Sequence, residues 1–234
     1  MIQLLFTLAF TTALLSKAQD RFESVEIITI KATDQAHMLK ESGGNVLIRT
    51  SKDKVVMIGS HYASWSKKIK KILSDLTDRP VNFLIDINLI IHLHNTHKEG
   101  GSFVYLTKSN LVHMGGIFFN GRYPYIDLPS GGSITRYIAA QKQILTNINE
   151  KTKIFTGRGT LATCKELTDD SNVLTDLKTQ IKKGIKDGES RKDMKNNSLI
   201  TRKYDDSGYA DGYISCSEIR TTIYDSLLLE SNNK

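Results

Sequence analysis

A chain of 234 residues that is 39% apolar and 24% charged can close one real core, which excludes a disordered or fibrous polymer. Two cysteines exclude a disulfide-stapled scaffold. A formal charge of +7 leaves nucleic acid as a partner to be tested against where the lysines fall.

Residues 1–18, MIQLLFTLAFTTALLSKA, hold an apolar run from Leu4 to Leu15 followed by Ser16-Lys17-Ala18. The run is too short to span a bilayer and ends in the small residues a signal peptidase reads. A cleaved signal peptide is expected, giving a secreted or periplasmic chain that begins near Gln19 and keeps no stable membrane span. Residues 19–234 are then one domain.

Short β-type runs follow at residues 25–31, 36–40 and 45–50, separated by turn residues such as Gly43-Gly44. The continuous apolar run of residues 54–60, KVVMIGS, reads as a buried strand. In residues 64–76, Trp65, Ile69, Leu73 and Leu76 recur at helical spacing, and Pro80 stops the helix. Lys67, Lys68, Lys70 and Lys71 fill the other side, as Lys178, Lys182, Lys183 and Lys186 do on a later helix. Solvated helix faces account for both clusters. With no aromatic platform and no zinc-finger spacing, no nucleic-acid partner is expected.

Residues 81–94, VNFLIDINLIIHLH, form a 14-residue β-type run, against about five or six residues for an ordinary strand. Strands are expected at residues 102–106, 111–114 and 153–156. A helix opens after Gly131-Gly132 with Ser133 as N-cap and runs to about Asn149. Further helices are expected at residues 163–186 and 217–229. Between them, residues 187–212 are rich in Lys, Asp, Asn and Ser and read as a loop or poorly ordered segment. The order fits an α/β chain built as a mixed sandwich. Cys164 and Cys216 lie in no CxxC pattern; a disulfide and two separate thiols both fit the sequence.

From His97 to Ser133 the chain reads HKEGGSFVYLTKSNLVHMGGIFFNGRYPYIDLPSGGS. This resembles the back half of a metallo-β-lactamase-fold hydrolase, in which HTDGDS precedes a strand, LHMGDLFFNGRYPFID and a Gly-Gly-Ser helix start. The resemblance extends to DRFESVEIITIKAT, GGNVLI, VVMIGSHYASWSKKIKKIL and DRPVNFLID. It implies an αββα sandwich with one or two zinc ions at one edge. The implied ligands come from an HxHxDH loop, a later His, a bridging Asp and a last His in a PGHG-like turn.

Two alignments meet at DINLIIHLHNTHKEGGS. In one, His92, His94 and His97 lie in the HxHxDH motif, with Thr96 replacing its Asp. In the other, which is preferred, His97 is the later His of HTDGD. That register continues ungapped through Gly100, Ser102, Tyr105, Asn110 and His113-Met114-Gly115. The long run at residues 81–94 is then two strands fused, and the segment carrying the HxHxDH loop is missing, so the fold is truncated in its N-terminal half. Gly116 stands where the bridging Asp belongs, Arg158 where the last His belongs, and Gly59 in place of an Asp. His97 alone remains, and one imidazole cannot hold zinc, which takes about four donors.

On a strand, alternate residues share a face, so His92 and His94 with His97 could also regroup around zinc, copper or nickel. The bland alternative puts His92 and His94 on a solvent face. His113 reads as a packed core histidine, and His37 and His61 have no evident partner. Glu99, Asn120 and Asp127 border the implied site without defining a reaction. No GxSxG, Walker loop or dinucleotide fingerprint is present.

The expected protein is an exported pseudoenzyme with a degenerate zinc site and no cofactor. It binds a small molecule or protein not identified by sequence, and an exposed sheet edge at Ile87, Leu89, Ile90 and Ile91 invites self-association. The alternatives are an active metal-dependent hydrolase, with zinc on His92, His94 and His97, and a misassembled gene product.

Overall fold

The computed structural model describes residues 26–40, 44–52, 54–59, 66–81, 83–86 and 103–232. Strands β1 (Ile28–Thr33), β2 (Ala36–Lys40), β3 (Val46–Thr50) and β4 (Val55–Gly59) form an antiparallel meander, and β5 (Phe83–Asp86) joins β4 in parallel. A second sheet orders β6 (Val104–Leu106), β7 (Leu111–His113) and β8 (Lys153–Phe155), with β6 antiparallel and β8 parallel to β7.

Alternation along these strands builds the layers. Met38, Leu47 and Ile58 point inward and meet Leu111 and Phe155 of the second sheet. Their chain neighbours Leu39, Ile48 and Met57 point outward against Ile69, Leu73 and Leu76 of helix α1 (Ser66–Leu76). On the far side, Val112 and Ile154 pack on Ile144 of α2 (Ile134–Leu145) and Leu167 of α3 (Cys164–Lys186). The result is helix, sheet, sheet, helix. The expected strands and helices within the described residues are all present, with ends moved by a few residues. Ser133 does cap α2, accepting from the Arg136 amide at 3.2 Å. Residues 1–25 and 87–102 lie outside the described residues, and with them the signal peptide, His92, His94, His97, Glu99 and most of the long run.

The expectation of a loop at residues 187–212 is corrected. This stretch folds into α4 (Arg191–Asn196), α5 (Arg202–Asp205) and short 3-10 turns before α6 (Cys216–Asn232). Its composition is polar because the exposed faces are polar; Met194, Ile200 and Tyr204 are buried against Leu174, Leu177, Ile181, Ile219 and Ile223. The buried Arg220 donates from Nε to the Met194 carbonyl at 3.0 Å and from Nη2 to that of Lys195 at 2.6 Å. It also bonds Thr201 Oγ1. One guanidinium thus satisfies carbonyls left open at the end of α4. Cys164 and Cys216, each half-buried in the first turn of a different helix, are separate thiols.

Candidate functional site

The C-terminal ends of the parallel strand pairs meet at one edge of the sandwich, where Gly59 lies beside Asp86 and His113 beside Phe155. Past His113 the chain turns through Gly115–Ile117, and past Phe155 through Thr156 to Gly159. The two turns touch backbone to backbone. A Cβ on Gly157 would lie 1.9 Å from the Gly115 carbonyl oxygen, so only glycine fits there.

Asn45, at the start of β3, clasps the second turn. Its Nδ2 donates to the Thr156 carbonyl at 3.0 Å, to Thr156 Oγ1 at 3.2 Å and to the Gly159 carbonyl at 3.2 Å. Its backbone amide donates to the Gly157 carbonyl at 3.0 Å.

His113 is 1% exposed. Its Nδ1 accepts from the Gly115 amide at 3.1 Å, which leaves the proton on Nε2, facing the Asn45 carbonyl at 3.4 Å. Burial pushes its pKa down to about 4, and the bond to Asn45 only partly opposes this. The ring is neutral at physiological pH and both nitrogens are committed, as expected of a core histidine.

On the rim, Asn120 Nδ2 donates to Glu166 Oε1 at 3.1 Å. Glu166 Oε2 in turn accepts from the Thr163 amide and hydroxyl, each at 2.8 Å, which closes a capping box at the start of α3. Burial acts to raise the Glu166 pKa, but the bonds from Asn120 and Thr163 together hold it below the usual range. Asp127 makes local turn contacts, its carbonyl accepting from Gly132 at 2.7 Å and its Oδ1 from Ser130 at 3.4 Å.

Gly116 has nothing within 4 Å of an ideal Cβ, so this position is open yet offers no side-chain donor. Arg158, half-buried, sits in the clasped turn with its backbone bridged to Phe119. These groups do not fit zinc. His113 is fully committed, Glu166 serves as a helix cap, and a guanidinium repels a cation. Among the described residues no group of three or more His, Cys, Asp and Glu stands together as a metal site. Asn120, Asp127, Gly116 and Arg158 were expected at or beside this site and His113 in the core; Asn45 and Glu166 were missed. The Thr163-x-x-Glu166 spacing could have flagged the second, whereas nothing in the sequence marks Asn45.

The layering and strand order give a metallo-β-lactamase-type fold. Among solved structures, the stereoselective inverting sec-alkylsulfatase Pisa1 from Pseudomonas sp. superposes with a TM-score of 0.57 at 7% identity, over 85% of this chain and 50% of that one. This chain thus spans about half the length of that sulfatase. The metallo-β-lactamase FIM-1 from Pseudomonas aeruginosa, in its mono-zinc form, gives a TM-score of 0.49 at 11% identity over 64% of this chain and 96% of its own. A metallo-β-lactamase from Pontibacter korlensis gives 0.47 at 10% identity over 64% and 100%. No family model and no curated protein sequence matches the chain.

Proposed function

We propose that this chain is an exported, internally shortened and catalytically impaired relative of the zinc-dependent hydrolases, acting by binding at its sandwich edge. The observation that carries this reading is the pair Gly116 and Arg158 on two turns that still hold each other. The backbone frame is intact, with Gly157 against Gly115 and Asn45 clasping the second turn. The two positions that the resemblance assigns to metal ligands carry no donor in one case and a permanent cation in the other. Such an edge suits a small molecule or a protein segment. Export rests on the apolar run and small residues of positions 1–18; among the described residues no helix is long and apolar enough to cross a membrane.

Metal analysis and turnover assays on the full chain purified from the exported fraction test this reading. Zinc is expected well below one per chain, with hydrolysis of lactam and ester substrates equal to that of a His97→Ala variant. Stoichiometric zinc with turnover lost in His92→Ala or His94→Ala would establish a regrouped hydrolase instead.

A further inference from the structure

Helices α2 and α3 pack through an apolar interface that encloses one carboxyl group, Asp170, which is 1% exposed. Gln141 of α2 donates from Nε2 to Asp170 Oδ2 at 2.8 Å and to the Ile117 carbonyl at 3.1 Å. An amide nitrogen has two hydrogens, so its donors are fully used. The second oxygens of the same two side chains, Gln141 Oε1 and Asp170 Oδ1, are both buried without a partner. Buried polar atoms are almost always paired, and two acceptors cannot pair with each other. One proton on Oδ1 turns one of them into a donor.

We propose that Asp170 is held as a neutral acid in the native fold, its proton completing a two-point acid–amide pair with Gln141, and that ionising it releases the Gly115–Ile117 turn of the candidate site. The route from the carboxyl to the turn is short, because the Gln141 nitrogen that bonds Asp170 also bonds Ile117. The surroundings favour the neutral form. Burial pushes the Asp170 pKa up to about 7, while bonds from Gln141 and Tyr209 pull it partly back. From α2, Tyr137 also faces the carboxyl, and its buried hydroxyl has no partner. Tyr209 comes from the 3-10 turn Tyr209–Asp211 and is itself acted on by Asp169 and Tyr204. On α3 itself, Asp169 is paired with Lys165 and Ser171 Oγ is unpartnered. Among the described residues no cation acts on the Asp170 carboxyl. The inference does not depend on whether the edge binds metal.

Carboxyl carbon NMR of the full chain, labelled at aspartate, tests the proposal directly. The signal that disappears in Asp170→Asn is expected to titrate with a midpoint near pH 7, and the Gly116 and Ile117 amide signals of the natural chain are expected to move with that midpoint. In Gln141→Leu the carboxyl still titrates above the ordinary range, but the turn amides no longer follow it. A carboxyl midpoint near the ordinary value of about 3.9 overturns the neutral acid. Turn amides that stay still through the Asp170 titration overturn the release. Both readings come from the natural chain, in which through-bond correlation to the Asp170 backbone amide assigns the carboxyl signal even if a variant fails to fold.

Discussion

The sandwich edge buries His113 and the α2–α3 interface buries Asp170, and the two are satisfied differently. His113 uses both ring nitrogens within the frame and stays neutral because burial outweighs the opposing bond to the Asn45 carbonyl. Asp170 pairs one oxygen with Gln141 and leaves Oδ1 without a hydrogen-bond partner. The edge is thus a finished structural joint, while the interface, of no chemical note in the sequence, leaves buried polar atoms without partners. Backbone contacts hold the two turns of the edge together.

The sharpest way to break the comparison is at the joint itself. Gly157→Ala places a methyl against the Gly115 carbonyl and is expected to cost more than about 4 kcal/mol, or to prevent folding, as read by thermal unfolding. Gly116→Ala, one residue beyond that carbonyl, enters open space and is expected to change stability by less than about 0.5 kcal/mol. Equal effects would mean that the two turns do not touch as described. Asn45→Ala removes three side-chain bonds to the second turn and is expected to cost about 2–3 kcal/mol, with faster amide exchange confined to residues 156–160.

pH separates the two buried groups. The folded pKa of His113 is about 4, below its ordinary 6.5, so its contribution is complete above 6.5 and is lost as pH falls towards 4. The folded pKa of Asp170 is about 7, above its ordinary 3.8. Its contribution is therefore complete below 3.8 and is lost as pH rises towards 7. The two slopes oppose each other, so the natural chain should show a shallow profile between these values. Asp170→Asn removes one slope: stability should then fall on acidification from about 6.5, and Tm at pH 8 should rise by about 5 °C, the scale of roughly 2 kcal/mol in a chain of this size. A profile unchanged by the substitution would remove Asp170 as a titrating group. A small effect is also expected at the exposed bidentate pair of Arg191 with Asp225, where Arg191→Ala should cost less than about 1 kcal/mol in Tm analysis.

Much of the fold was legible because its signals are local. Alternation gave β2 with both ends in place, the apolar run gave β4, and Gly131-Gly132-Ser133 gave the start of α2. The polar stretch at residues 187–212 was not, because a compositional reading averages over exposed faces. Met194, Ile200 and Tyr204 anchor it at irregular spacing across short helices. The clasp of Asn45 on Thr156 spans 111 positions and the bond of Gln141 to Asp170 spans 29. Neither follows any period, so only the folded chain brings these partners together. At the site, Gly116 and Arg158 were legible as departures from the pattern the chain resembles and His113 as a core histidine, while the commitment of Glu166 to a helix cap was not.

The central claim, that this edge has exchanged metal chemistry for a metal-free frame, is tested most directly by zinc titration of the full natural chain, followed by calorimetry. The account predicts no saturable site of micromolar or better affinity and no change when Gly116→Asp and Arg158→His are introduced together, since the remaining donors leave the centre incomplete. Tight, stoichiometric zinc binding by the natural chain, abolished by His97→Ala, would contradict it.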